Sequence, residues 1–231
     1  MPPLVRWSDV VREAVGDVAA LVFPVECAGC GAGDVSLCAV CDRALFPDPV
    51  TRTIAGVPVR SALRFEGTAA RVIRTMKEDG RTSLAGPLGR ALAEVVDSMG
   101  IDEKSGIRFV PVPSSRAAFR RRGFRPVETI MRRARLPVTR AIVPTRTLLD
   151  QRGLGVSERA ANLARAFAAR PVADARVIVV DDVVTTGATL AEAVRALRQA
   201  GAEVCGGVVV ADTPRRSVFA DGEAGRSAIG A

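Results

Sequence analysis

Residues 179–189 read VVDDVVTTGAT: an apolar, β-branched run leads into two acids and then into a short stretch of threonine and glycine. The apolar run at 175–180 is typical of a strand buried in a parallel sheet, and the pattern at 190–200 is typical of a helix. Ligands of open α/β sheets bind where strands end. This strand–loop–helix unit therefore predicts an anion-binding loop at the edge of a parallel sheet.

The loop and the acids before it have different chemistry. The start of the helix offers free N–H groups and a partial positive charge to an anion, and Gly187 lets the backbone approach it closely. Asp181 and Asp182 are suited to accept hydrogen bonds from two neighbouring ribose hydroxyls, or to hold hydrated Mg²⁺. A plain strand-to-helix turn with Asp and Thr as caps is the alternative. Further hydroxyls come from Thr185, Thr186 and Thr189.

These residues resemble the signature of type I phosphoribosyltransferases, which bind 5-phosphoribosyl 1-pyrophosphate. The resemblance covers about residues 57–212. It implies that the two acids hold the ribose O2′ and O3′ and that the following residues wrap the 5′-phosphate. The ligand-binding residues implied in this segment are Asp181, Asp182, Val183, Val184, Thr185, Thr186, Gly187, Ala188 and Thr189.

Two arginine-containing segments are candidates for the rest of such a site. Ser114-Ser115-Arg116 follows a predicted strand and would cradle pyrophosphate, on which negative charge builds as it departs. A solvated helix face is the alternative. Residues 146–155 form a predicted mobile loop that carries Arg152, to which we assign a catalytic role beside the two acids. A plain surface loop is the alternative for this segment.

Three further elements are similar to the ComF family, which joins a cysteine knuckle to a phosphoribosyltransferase domain. They are Pro111-Val112-Pro113 followed by Arg122-Gly123-Phe124, the block from Gln151 through Arg159 and Asn162 to Phe167, and Lys77 with Gly80. The sequence departs from that family at Arg125-Pro126, where Asn-Gln is usual.

The ComF resemblance implies a protein of natural competence and DNA uptake. Such a protein, whether an enzyme or a ligand-gated binder, would use 5-phosphoribosyl 1-pyrophosphate with Mg²⁺. Single-stranded DNA or competence proteins would be its partners. A purine or pyrimidine salvage phosphoribosyltransferase is the alternative function.

Two CxxC pairs lie close together, at residues 27–30 and 38–41. Two such knuckles can place four thiolates tetrahedrally around Zn²⁺, which predicts a structural zinc centre with no open ligand position. Redox or disulfide use and incidental thiols are the alternatives, and the predicted cytoplasmic location disfavours disulfides. The predicted ligands are Cys27, Cys30, Cys38 and Cys41.

The composition narrows the chemistry further. Histidine is absent, which excludes Ser-His-Asp and Cys-His nucleophiles and imidazole metal ligands. Tyrosine is also absent and aromatic residues make up 4% of the chain, so stacked platforms for nucleic-acid bases are not expected. The net charge of +8 suits a phosphorylated substrate or a nucleic acid, although an arginine-rich composition is also typical of a high-GC genome.

The 231 residues suit one α/β domain with a small appendage. Strand and helix patterns alternate in the latter half, which predicts an open parallel sheet with helices on both faces. No apolar run is long enough to cross a bilayer and the start lacks the features of a secretory signal, so we expect a cytoplasmic protein. The predicted divisions are an amphipathic helix at 1–24, a four-cysteine zinc knuckle at 25–50, the phosphoribosyltransferase-like domain at 57–212 and a flexible tail at 213–231. Strands are predicted near 57–65, 107–113, 175–180 and 204–210, and helices near 67–77, 84–99, 124–134, 157–170 and 190–200.

Overall fold

A five-stranded sheet forms the centre of the computed structural model, which describes residues 25–101, 105–145 and 166–214. The predicted helix at 1–24, the predicted loop with Arg152 and nearly all of the predicted tail lie outside the described residues. The strands are β1 (Val50–Ile54), β2 (Val57–Arg64), β3 (Arg108–Pro111), β4 (Ile142–Pro144), β5 (Phe167–Ala169), β6 (Arg176–Val184) and β7 (Glu203–Asp212). The helices are α1 (Ala39–Arg43), α2 (Gly67–Glu78), α3 (Ala85–Asp97), α4 (Arg116–Arg122), α5 (Pro126–Arg133) and α6 (Ala188–Gln199). None of the helices in the described ranges has the length and apolar character that a bilayer crossing needs.

The sheet has the strand order β1-β2-β7-β6-β3, and its strands are parallel except at one edge. There β1 pairs antiparallel with β2, through a turn in which Ala55 and Gly56 have φ values of 50° and 78°. Positive φ at both residues is what a two-residue type I′ hairpin requires. β4 and β5 form a separate antiparallel pair. The mostly parallel sheet confirms the predicted fold class. Strands β1 and β4 are not predicted by the sequence, and β5 replaces the end of the helix predicted at 157–170, because Phe167–Ala169 pairs with β4.

Successive residues of β6 face opposite sides of the sheet, and each side has its own hydrophobic core. Ile178 and Val180 belong to a buried cluster with residues of α2, α3 and α5. Val177 and Val179 belong to a second cluster with residues of α6, β4 and β5. Helices therefore cover both faces of the sheet, and a strand buried on both faces has to be continuously apolar. This is the physical origin of the apolar run at 175–180.

The predicted end of the site strand is wrong, and the helix α4 is missed. The strand predicted to end at Val180 continues to Val184, because its pairing with β7 continues until Val184 lies opposite Asp212. The two acids therefore lie inside β6 and not after it. The arginine-rich helix predicted at 124–134 is α5, and the separate helix α4 precedes it and ends at Gly123 in the left-handed conformation (φ 75°).

Candidate functional site

Two predicted ligand-binding segments follow the carboxyl ends of neighbouring strands. β3 and β6 are parallel neighbours, with Pro111 opposite Val180. The Val112 N–H extends this pairing by donating to the Val180 carbonyl (2.8 Å). The segment 114–116 after β3 and the loop 185–189 after β6 therefore start at adjacent positions, at the edge where parallel sheets bind their ligands.

Asp181 and Asp182 form a buried acidic pair in the last part of β6, with 8% and 9% of their surfaces exposed. The Asp182 N–H donates to Asp181 Oδ1 (2.8 Å). Burial first, and the neighbouring Asp182 charge second, raise the pKa of Asp181 from its ordinary 3.8 to about 8, although the Asp182 N–H and Lys77 oppose the rise. Asp181 is therefore mainly protonated at neutral pH.

Lys77 supplies the countercharge for this acidic pair. Its Nζ lies 3.0 Å from Asp182 Oδ1, and the two side chains are 26% and 12% exposed. Lys77 is in the last turn of α2, and its carbonyl accepts a hydrogen bond from Arg122 Nε (2.9 Å). A charge-assisted contact of this kind joins the end of α2 to β6. The ComF resemblance includes Lys77, but no local pattern predicts its contact with a residue 105 positions away.

The loop that follows β6 leaves its polar groups accessible. Thr185 and Thr186 are exposed, and Thr189 is half-buried. Gly187 is the N-cap of α6 in the left-handed conformation (φ 88°), which glycine adopts without strain. A Cβ at this position would also lie 3.0 Å from Ile54 Cδ1. The start of α6 thus presents N–H groups and hydroxyls together, which is the arrangement that binds an anion.

Val183 and Val184 have a different role from the rest of the predicted loop. They are the last residues of β6 and pair with Ala211 and Asp212 of β7. The Val184 carbonyl also accepts a hydrogen bond from the Thr213 N–H (2.9 Å). Their backbone groups are therefore used by the sheet, and the loop proper consists of residues 185–189.

Arg52, on β1, ties this loop to the neighbouring strand β7. Its Nη2 donates to the Thr185 carbonyl (2.9 Å), and its Nη1 lies 3.2 Å from Asp212 Oδ1, with both side chains 13% exposed. These contacts fix the loop backbone next to the threonine hydroxyls. The sequence analysis misses this residue, since 133 positions separate Arg52 from Thr185.

The three residues of the predicted pyrophosphate segment are used differently. Ser115 is the N-cap of α4, and its Oγ accepts a hydrogen bond from the Ala118 N–H (3.1 Å). Ser114 and Arg116 line a cavity of about 530 Å³ beside α4. The third predicted catalytic residue, Arg152, lies outside the described residues.

The four cysteines of the predicted knuckle come together in the structure. All four Sγ atoms lie within 4.8 Å of one another, and those of Cys30 and Cys38 are 3.8 Å apart. Thiolates bound at about 2.3 Å around a tetrahedral Zn²⁺ would be separated by about 3.8 Å. The cluster is therefore compatible with the predicted zinc knuckle.

The protonation chemistry of the cluster also suits a dication. Burial alone would raise the pKa of the Cys27 thiol, but the N–H groups of Cys38, Gly29 and Cys30 outweigh it and lower the pKa to about 6. Burial and the neighbouring thiols raise the pKa of Cys41 to about 12. Four thiolates cannot share this space without a countercharge, and a bound dication supplies it.

Arginine side chains fix the knuckle on α2 and on the turn after it. Arg71, in α2, donates through Nε to the Gly29 carbonyl. Arg81 donates to the carbonyls of Glu26 and Ser36 (both 2.8 Å). It thereby links the segments that precede the first and the second CxxC pair. The apolar residues Ala28 and Leu45 join the buried cluster that contains Ile73 and Met76 of α2. The knuckle is thus packed on the same helix that carries Lys77.

Comparison with known proteins shows a similarity for part of the chain. Residues 120–225 match the family model described as phosphoribosyl transferase domain. No curated protein matches the sequence. Among 18 matching chains of solved structures is a Leishmania donovani UMP synthase. That match has 20% identity and a TM-score of 0.37, and it covers 75% of this chain and 31% of that chain, so this chain spans about a third of that protein's length.

The matched residues contain the acidic pair, the loop 185–189 and α6. The knuckle, α2 and the segment 114–116 lie before the match begins. Residues 120–225 are thus similar to a phosphoribosyl transferase domain, and the mostly parallel sheet agrees with this similarity. It supports the predicted fold and the predicted enzyme class, a phosphoribosyltransferase.

We expect Gly29→Ala to weaken metal binding by the cysteine cluster. A Cβ at Gly29 would lie 2.5 Å from Cys41 Sγ and 2.9 Å from Thr68 Cγ2, and overpacking of this kind costs about 1–3 kcal/mol. The measurement is zinc content and zinc affinity of the purified protein by a chromophoric chelator. Gly33→Ala is the matched control, because a Cβ there would meet no atom within 4 Å. Equal zinc affinity in the two variants would contradict the expectation.

We expect Asp181→Asn to change the pH dependence of stability. Because the pKa of Asp181 rises from 3.8 to about 8 on folding, the folded protein binds more protons than the unfolded chain between these values. The free energy of unfolding must therefore fall as pH rises from about 4 to about 8. Asn cannot ionise, so this contribution disappears. The free energy of unfolding of the variant therefore rises relative to that of the parent as pH rises.

The measurement for Asp181 is denaturant unfolding at several pH values in magnesium-free buffer, expressed as the variant-minus-parent difference. Asp97→Asn, at an exposed position in the last turn of α3, is the control for the same change at a surface carboxylate. The difference for Asp181→Asn should change with pH more steeply than the difference for the control, and equal pH dependence in the two variants would refute the raised pKa.

Proposed function

We propose that this chain carries a phosphoribosyltransferase domain, binds 5-phosphoribosyl 1-pyrophosphate and transfers its phosphoribosyl group to an acceptor. The observation that carries the proposal is the buried Asp181–Asp182 pair, two residues before the loop 185–189. One continuous segment thereby offers acceptors for ribose hydroxyls and donors for a phosphate. This segment belongs to the matched residues 120–225.

Each part of the ligand has a corresponding part of the proposed site. Asp181 and Asp182 accept hydrogen bonds from the ribose O2′ and O3′ hydroxyls, and the loop 185–189 at the start of α6 binds the 5′-phosphate. The segment 114–116 binds the pyrophosphate. Breakage of the C1′–O bond leaves negative charge on the departing pyrophosphate, and cationic Arg116 stabilises that charge. The step needs no histidine, and the chain has none. Arg152 stays a predicted second cation for this step.

One carboxylate of the site suits Mg²⁺ better than the other. Mg²⁺ usually keeps several waters and takes one or two carboxylates together with the substrate's phosphates. Lys77 contacts Asp182 through Oδ1, which leaves Oδ2 of Asp182 for a hydrated ion. Asp181 is the weaker ligand, because its raised pKa keeps the proton that a metal would have to displace. When bound, Mg²⁺ would neutralise charge on the pyrophosphate.

We further propose that the protein is a ComF-like member of the phosphoribosyltransferases with structural Zn²⁺ on the four cysteines and a cytoplasmic role in natural competence. Support comes from the sequence elements around Arg122-Gly123-Phe124 and Lys77, and from the packing of the knuckle on α2. Single-stranded DNA is the proposed partner, since the exposed arginines of α4 and α5 suit a phosphate backbone. These arginines are Arg120, Arg121, Arg132 and Arg133.

A purine or pyrimidine salvage phosphoribosyltransferase is the second candidate. It shares the ligand 5-phosphoribosyl 1-pyrophosphate with the first and differs in the acceptor. Release of pyrophosphate with a free base as acceptor would favour salvage, and release with none of a panel of bases would favour the ComF-like assignment.

We expect calorimetric titration with 5-phosphoribosyl 1-pyrophosphate and Mg²⁺ to detect binding to the parent and a weaker affinity for Asp182→Asn. Loss of a charge-assisted hydrogen bond to a ribose hydroxyl costs about 1.5–3 kcal/mol, which is about a 10- to 100-fold loss of affinity. Asp97→Asn removes the same charge from an exposed helix position and should bind like the parent. An absence of binding by the parent, or equal binding by Asp182→Asn, would sink the proposal.

We expect the affinity for an oligo(dT) single strand to fall steeply with salt, with a log–log slope of about −0.7 for each phosphate contact. The double variant Arg121→Gln, Arg133→Gln should reduce the slope by about one to two units and weaken binding at low salt. Fluorescence anisotropy over a series of salt concentrations measures both quantities. Undetectable binding, or binding that does not respond to salt, would count against DNA as the partner.

A further inference from the structure

A cavity of about 530 Å³ lies beyond β3, between helices α4 and α5 and strand β4. Its volume falls in the range of small-molecule sites, about 300–1,000 Å³. Among the described residues that line it, Ser114 and Arg116 are shared with the proposed pyrophosphate segment. The proposed ribosyl site otherwise uses β6, α2 and the loop 185–189, so the cavity is a neighbouring space.

Arginine dominates the charge of this cavity. Among the described residues, its lining contains one carboxylate, Glu128, and five arginines, which are Arg116, Arg120, Arg125, Arg140 and Arg170. Three of these, Arg116, Arg120 and Arg170, take part in no ion pair with any residue that the structure describes. A concave surface with this excess of one sign attracts ligands of the opposite charge.

Glu128 positions several arginines, but its single negative charge does not neutralise the positive charge of the cavity lining. It is 4% exposed, and Arg140 binds it through two nitrogens (3.0 and 2.6 Å). Arg132 lies 3.1 Å from Glu128 Oε2 and Arg125 lies 3.7 Å from Oε1. One buried carboxylate thus holds three guanidinium groups, and the surplus positive charge remains for a ligand.

The remaining wall of the cavity is apolar and includes one aromatic ring. Phe119 is 39% exposed, and the guanidinium of Arg125 lies 4.9 Å from its ring centroid. Pro111, Ile142 and Pro144 add flat apolar surface. An inorganic anion would use the arginines and leave this surface unused, whereas a molecule with a planar ring and a phosphate group would use both.

We propose that this cavity binds a nucleoside phosphate, with the phosphate on the arginines and the base against Phe119 and the prolines. Several guanidinium groups from different elements suit the many oxygens of a phosphate chain. The limited volume of about 530 Å³ favours a small molecule over a nucleic-acid strand. Because Arg116 belongs to both sites, a nucleoside phosphate in the cavity competes with the pyrophosphate of 5-phosphoribosyl 1-pyrophosphate; this coupling rests on the proposed function, whereas occupancy of the cavity does not.

The test is calorimetric titration of the full chain with ATP, AMP and inorganic pyrophosphate, carried out in the parent and in Asp182→Asn. The expected result is binding of ATP with the same affinity in both proteins, because the cavity does not use Asp182. Loss of ATP binding in Asp182→Asn would overturn the proposal, since it would place the nucleotide in the ribosyl site. Failure of 5-phosphoribosyl 1-pyrophosphate to bind would count against the proposed function alone.

Two sets of variants locate the ligand. Arg120→Gln with Arg170→Gln should lower ATP affinity by at least about 10-fold, from the loss of charge-assisted bonds to phosphate. The control is Arg43→Gln with Arg108→Gln, which removes the same charge at two exposed positions outside the cavity lining, and it should bind ATP like the parent. Equal losses in the two double variants would overturn the proposal in favour of a diffuse charge effect.

The base contact is tested by Phe119→Ala. This change should weaken ATP and AMP by about 2- to 10-fold through the lost aromatic contact and leave inorganic pyrophosphate unchanged. An equal effect on all three probes, or no effect on ATP, would overturn the nucleoside assignment. Binding of oligo(dT) that depends on Arg120 and Arg170, together with no binding of ATP, would assign the cavity to a nucleic-acid strand.

Discussion

The ion pair between Lys77 and Asp182 is the contact on which the candidate site depends. Two adjacent carboxylates buried at the end of a strand repel each other and lose their hydration, which is costly without a partner. Lys77 Nζ, 3.0 Å from Asp182, offsets part of this cost, and Asp181 avoids the rest by holding its proton up to a pH of about 8. The two acids therefore differ in charge, although a neutral carboxyl group still has an oxygen that accepts a hydrogen bond.

Helix α2 carries this ion pair and the cysteine cluster together. Lys77 contacts the acids from its last turn, whereas Arg71 of the same helix holds the Gly29 carbonyl between the two cysteines of the first CxxC pair. The Arg122 side chain binds the Lys77 carbonyl and links α4 to the same point. Free energy of metal binding by the cysteines is also free energy of folding for the segment they hold. A filled knuckle thus stabilises the helix that positions the countercharge of the acids.

The predictable parts of this site are local in sequence, and the missed parts are not. The strand, acids, loop and helix at 175–200 follow one another, so patterns of hydrophobicity and turn residues indicate them directly. Lys77 and Asp182 are 105 positions apart and Arg52 and Thr185 are 133 apart, so the fold alone brings them together. The sequence pattern also misplaces the end of β6, because two acids are poor strand formers. Pairing with β7 overrides that preference.

Both the ribosyl site and the cavity contain a buried carboxylate that binds cationic side chains, but the net charge around the carboxylate differs. Asp182 holds one lysine, so cation and anion balance and the protonated Asp181 adds no charge. These balanced charges around Asp182 suit the uncharged hydroxyl groups of a sugar. Glu128 holds three arginines, and the cavity beside it keeps a large positive excess. That surrounding suits phosphates. The ratio of acids to cations thus differs around the two buried carboxylates, and an excess of cations attracts phosphate groups.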